Sequence, residues 1–66
     1  MHELSIAQNI IDIVLEQMKV HHLTKIESIM LKVGTLRGVS VDSLQFSFDV
    51  VVRETPIQGA KLIVET

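Results

Sequence analysis

Apolar side chains recur along the start of the chain at a helical interval. Leu4, Ala7, Ile11, Val14 and Met18 are spaced by three and four, and Ile6, Ile10 and Ile13 widen the stripe. Glu3, Gln8, Asp12, Glu16 and Lys19 lie mostly off it. The spacing predicts an amphipathic helix over about residues 4–20, with Ser5-x-x-Gln8 as a candidate capping box. HHLT then breaks the pattern, and the period falls to two. In KIESIMLKVG, Ile29, Leu31 and Val33 share one face of a strand, Ile26 and Met30 point the other way, and Gly34 ends it. GTLRGVS follows as a loop with two glycines.

The next segment, VDSLQFSFDVVVRETP, fits two periods. Leu44, Phe46, Phe48, Val50 and Val52 alternate as a strand would; Leu44, Phe48, Val51 and Val52 also fit one helical face. Ser40 and Asp42 suit a helix start, where both can face unpaired N–H groups. The β-branched run tips the local pattern slightly toward strand. Pro56 ends the element on either reading, Gly59 marks a turn, and AKLIVET is a last strand.

Composition narrows the class. Sixty-six residues make one small domain, 1–66, with a thin core. There is no cysteine, so neither a disulfide nor a Cys-based zinc site can staple it. Apolar residues make up 47% and the mean hydropathy is +0.39, which implies apolar surface covered by something outside these residues. Six basic and eight acidic side chains leave a net charge of −2, and Trp and Tyr are absent. Nucleic-acid binding thus lacks both a basic footprint and a stacking platform. The start is acidic-polar where a signal peptide would be basic. No uncharged run approaches a membrane span. The expected compartment is the cytoplasm, with no membrane partner.

The chemistry worth weighing is at the N-terminus, MHE. A free Met1 amine and the His2 amide nitrogen can span a metal as a five-membered ring, and that amide with His2 Nδ1 closes a six-membered one. Glu3 can complete the set through its amide nitrogen or its carboxylate. A planar, nitrogen-rich site suits Ni(II) and Cu(II) rather than Mg²⁺ or Ca²⁺; the alternative is octahedral, with imidazole, carboxylate and waters. Such a site is acid-sensitive, because protons compete for amine and imidazole. Yet every chain starts with Met, and an acidic residue favours a helix start without any ligand. Read alone, the tripeptide is better taken as an ordinary helix start. His21-His22 reads as a solvated or capping pair at the end of the helix, Asp12 with Glu16 as a solvated face, and Met18, Met30, Phe46 and Phe48 as core. No cysteine nucleophile, phosphate loop or H-E-x-x-H motif is present, so catalysis is not expected.

Three stretches taken together resemble the N-terminal part of the HypA/HybF family, the nickel metallochaperones of hydrogenase maturation: MHELSIAQNIID, KVGTLRGVSVDSLQFSFDVVV and GAKLIVE. Their order and spacing agree over essentially all 66 residues. The resemblance implies that Met1, His2 and Glu3 are the nickel ligands, through side chains and N-terminal backbone nitrogens, which reverses the weighting above. It implies a helix over about residues 41–53. The implied fold is α+β: a small mixed sheet with two helices on one face, order α-β-α-β. Family members continue into a zinc domain with two Cys-x-x-Cys pairs and return to add one more strand. Neither is in this chain, so no zinc is expected, and the chain reads as cut short or as a naturally short relative.

The implied function is to bind Ni(II) as transient cargo and deliver it for nickel-iron hydrogenase, with urease accessory proteins as further partners. A HypB-type GTPase and the hydrogenase large subunit are the expected contacts. The lacking strand leaves an open sheet edge, from which a homodimer by sheet extension or element exchange is expected. The rival reading is an interaction module that docks the GTPase or dimerises without useful nickel binding.

Overall fold

A computed structural model describes residues 3–32 and 38–65. It contains helix α1 (Glu3–His21), strand β1 (Ser28–Lys32), helix α2 (Val41–Val51), a 3-10 turn (Val52–Glu54) and strand β2 (Lys61–Glu65). The order is α-β-α-β, and the fold is α+β. Among the described residues the sheet is a parallel pair, with Ser28 opposite Lys61 and Lys32 opposite Glu65.

Helix α1 buries Ala7, Ile10 and Ile11, and Ile6, Val14, Leu15 and Met18 pack half-buried around them. Two members of the expected stripe are not on the buried face. Ile13 is 62% exposed, being turned roughly 120° from Ala7 about the axis. Leu4 is 55% exposed, because it lies in the first turn, ahead of Ile6, where the core begins. The expected capping box is also absent. The helix has already begun at Glu3, so Ser5 lies inside it, and Gln8 donates to Asp12 Oδ1 at 3.2 Å instead.

Segment 41–51 is a helix, against its local alternation. Ser40 caps it in an extended conformation (φ −89°, ψ 123°), its hydroxyl accepting from the Ser43 N–H at 3.2 Å. Helical rotation brings Leu44, Phe48 and Val52 to one buried line and swings Phe46 to the opposite side, 70% exposed. Phe46 is therefore not core. The reason is tertiary: β1 and β2 run parallel, and parallel strands need a long crossover, usually a helix. The regular helix stops at Val51, two residues short of expectation, and tightens into the 3-10 turn.

The sheet buries one face. Ile29, Leu31 and Val64 are half-buried and Leu62 is buried. On the other face Met30 is 63% exposed, beside Ile63 across the ladder. Met30 is thus surface, not core, and Ile26 packs on the core edge. Val33 and the GTLR segment fall outside the described residues.

Between α2 and β2, Thr55 Oγ1 donates to the Val52 carbonyl (2.7 Å), the Ile57 N–H donates to Thr55 Oγ1 (3.3 Å), and the Ala60 N–H donates to the Ile57 carbonyl (3.0 Å). These bonds fold Ile57 and Ala60 back into the core. Gly59 sits at φ +89° in the last of these turns, a conformation that costs other residues roughly 1–2 kcal/mol. A Cβ there would meet no atom within 4 Å. Gly59→Ala is therefore expected to cost about 1 kcal/mol, from backbone strain alone, in urea denaturation. His22 is the converse case. It occupies φ +55° just past α1, and the next residue, Leu23, donates its N–H to the Met18 carbonyl at 2.9 Å. That is a Schellman closure, where glycine is the preferred residue. His22→Gly is expected to be neutral or stabilising by up to about 1 kcal/mol, and a loss of stability would contradict this assignment.

Candidate metal centre

Glu3 is the first described residue of α1, half-buried, and the acidic residue of the first turn. Met1 and His2 lie outside the described residues. What the structure supplies is the base of the tip. One turn further on, Ala7 is fully buried, and Ile10 and Ile11 follow it into the core. Glu3 thus stands at the described end of a helix anchored in the core.

That position has chemical consequences. The first four N–H groups of an α-helix have no partner within it. The Glu3 amide is one of them. Charge matters as well. A helix N-terminus carries roughly half a positive charge, so a bare cation there is disfavoured and anionic groups are favoured. Ni(II) held by the deprotonated His2 amide, the Met1 amine, the His2 imidazole and the Glu3 carboxylate is neutral at the metal. Ni(II) held by an amine, an imidazole and one carboxylate retains a positive charge. The macrodipole therefore favours the planar amidate set.

The other histidines are far away. The rise of an α-helix puts His21 about 27 Å from Glu3, too distant to share a mononuclear site. His21 Nε2 lies 3.1 Å from Gln17 Oε1, and both histidines are exposed. Asp12 and Glu16 are exposed as expected. Among the described residues no group of three or more His, Asp or Glu side chains converges on a point, and no pocket is formed. The one ion pair among them, Lys25 with Glu27 at 4.0 Å, is solvent-exposed and contributes little. No described helix is long and apolar enough to cross a membrane.

The chain matches known proteins along its whole length. The family model described as "Hydrogenase/urease nickel incorporation, metallochaperone, hypA" matches residues 1–66. Among curated relatives, the hydrogenase maturation factor HypA of Chlorobaculum parvum is 46% identical over 65 residues, covering 98% of this chain and 58% of the relative. That of Chloroflexus aurantiacus is 43% identical over 65 residues, covering 98% and 57%. That of Beijerinckia indica is 40% identical over 62 residues, covering 94% and 55%. The chain thus spans little more than half the length of these relatives.

Proposed function

Because the chain belongs to the HypA family of hydrogenase/urease nickel-incorporation metallochaperones, we propose that it accepts Ni(II) at its own N-terminus and passes it on for assembly of nickel-iron hydrogenase, with urease as a second recipient. The ligands are the Met1 amine, His2 and Glu3. The observation that carries this reading is the position of Glu3, in the first described turn of a helix anchored by Ala7, Ile10 and Ile11.

A carrier needs cargo that leaves again. A tip made of the first residues of the chain can open by moving a few backbone atoms, whereas a buried cage would have to unfold to release metal. The planar set is reversible through protons as well: the amidate that leaves the metal is reprotonated by water. Cu(II) binds such nitrogens at least as tightly as Ni(II), so the choice of metal rests on what the cytoplasm supplies.

The partners are a HypB-type GTPase, on which the chain docks, and the hydrogenase large subunit, and the chain associates with a second copy. If nickel sits at the tip and the GTPase contacts the body of the domain, the two can be separated. His2→Ala is expected to abolish tight nickel binding while leaving GTPase affinity within about 3-fold, a change of under 1 kcal/mol. Joint loss of both would place the cargo and the partner on one surface.

A further inference from the structure

The far end of α1 carries two of the three histidines of the chain. His21 is the last residue of the helix and His22 follows it. Both are exposed, as is every residue from Lys19 to Lys25. No acidic residue lies between Glu16 and Glu27, so this stretch holds no carboxylate to pair with either ring.

The His21 ring is held in one form. Its Nε2 lies 3.1 Å from Gln17 Oε1, one turn back on the same helix face. An amide oxygen only accepts, so Nε2 carries the proton and donates it. In the neutral ring the lone pair then sits on Nδ1. Metal-binding histidines are held in this way, one ring nitrogen donating to an oxygen and the other left for the metal. His22 is placed by the backbone. It takes φ +55°, and the Leu23 N–H closes behind it on the Met18 carbonyl at 2.9 Å. A position that prefers glycine thus carries a second imidazole, on a Cα about 3.8 Å from that of His21. Two rings on neighbouring Cα atoms can close on one ion. The field here has the right sign. A helix C-terminus carries roughly half a negative charge, and its last carbonyls have no partner within the helix. A cation is favoured at this end as it is disfavoured at Glu3. The opposing charges are Lys19 and Lys25. Both are exposed and screened by water, and Lys25 lies 4.0 Å from Glu27.

We propose that His21 Nδ1 and the His22 imidazole hold a second, weaker metal ion at the C-terminal end of α1, with Gln17 as the positioning residue of His21. Neutral imidazoles suit Ni(II), Cu(II) and Zn(II) rather than Mg²⁺ or Ca²⁺, and water completes the coordination. The pair shares no residue with the N-terminal tip, about 27 Å away along the helix, and does not rest on it.

The test disables the tip first, with Gly-Ser before Met1 and His2→Ala together. That chain is expected to bind one Ni(II), more weakly than the parent does. Ni(II) held by two imidazoles and waters is paramagnetic. The amide NMR signals of Gln17 to Leu23 are therefore expected to broaden, while those of the first turn of α1 stay sharp. In this background His21→Ala and His22→Gly are each expected to weaken binding by more than about 10-fold. Gln17→Ala is expected to weaken it by roughly 10-fold, the low end for losing a group that orients a metal ligand. Before metal is added, the ring nitrogen shifts of His21 are expected to show the proton on Nε2, and Gln17→Ala to mix the two tautomers. His22→Gly is the decisive variant, because glycine suits the left-handed position: the fold is kept or strengthened while the metal is lost, which unfolding does not reproduce. A tip-less chain that binds no Ni(II), broadening centred away from Gln17 to Leu23, or binding unchanged by His22→Gly overturns the site. Affinity and tautomer unchanged by Gln17→Ala overturn its positioning role. None of these results bears on the tip, which is absent from the measurement.

Discussion

Phe48→Ala is expected to unfold most of the population at 25 °C, or to leave it on the verge of unfolding. Phe48 is among the largest fully buried side chains, together with Ile11, Leu44 and Ile57. Truncating a buried Phe costs about 3–5 kcal/mol, as lost transfer energy plus a cavity. At about 0.05–0.15 kcal/mol per residue, a chain of this length has roughly 3–10 kcal/mol to lose. The cost is thus comparable with the whole stability. Phe46→Ala is the control. Its ring is exposed on the opposite side of the same helix, and its loss is expected to change stability by no more than about 0.5 kcal/mol. Urea denaturation followed by far-ultraviolet circular dichroism separates the two. Equal costs, or a larger one for Phe46, would mean that α2 is rotated from the orientation described.

The second large effect is on cargo. His2→Ala is expected to weaken nickel binding by more than about 100-fold, beyond what loss of a merely supporting contact costs a metal site. The fold is expected to be unaffected, since the described part of α1 starts at Glu3 and its first buried residue is Ala7. The nickel form of the parent chain is expected to be diamagnetic, as planar Ni(II) is, with sharp NMR lines from the first turn of α1. Paramagnetic broadening there would replace the amidate set by an octahedral one of imidazole, carboxylate and waters.

Much of the fold is legible in the sequence, and the exceptions have physical causes. Helix α1 is long and periodic, and its stripe identifies Ala7, Ile10 and Ile11 correctly. Ile13 and Leu4 fail because a stripe read from spacing says nothing of how wide the covering surface is or where it ends. In α2 the same apolar residues satisfy both periods, so Phe46 and Phe48 cannot be told apart locally. The need of two parallel strands for a crossover decides it, and that pairing lies outside any window containing α2. Ile57 and Ala60 hide among turn residues, where Pro56 and Gly59 read as punctuation. Only the hydrogen bonds around Thr55 return them to the core. Met30 alternates correctly, but alternation alone does not say which sheet face is covered. The candidate site is the opposite case. Three residues carry no periodicity, and their chemistry is equally that of a plain helix start. The family resemblance raises them above it.

The central claim, that the chain holds nickel through its own amine, is tested most directly by calorimetric titration of two proteins with Ni(II): the chain beginning at Met1, and the same chain with Gly-Ser added before Met1. The extension leaves His2, Glu3 and the fold in place and removes only the free amine from its chelate ring. One nickel bound tightly by the first protein and more than about 100-fold weaker binding by the second is the predicted result. Equal binding by both would contradict it, leaving His2 and Glu3 to act through their side chains alone.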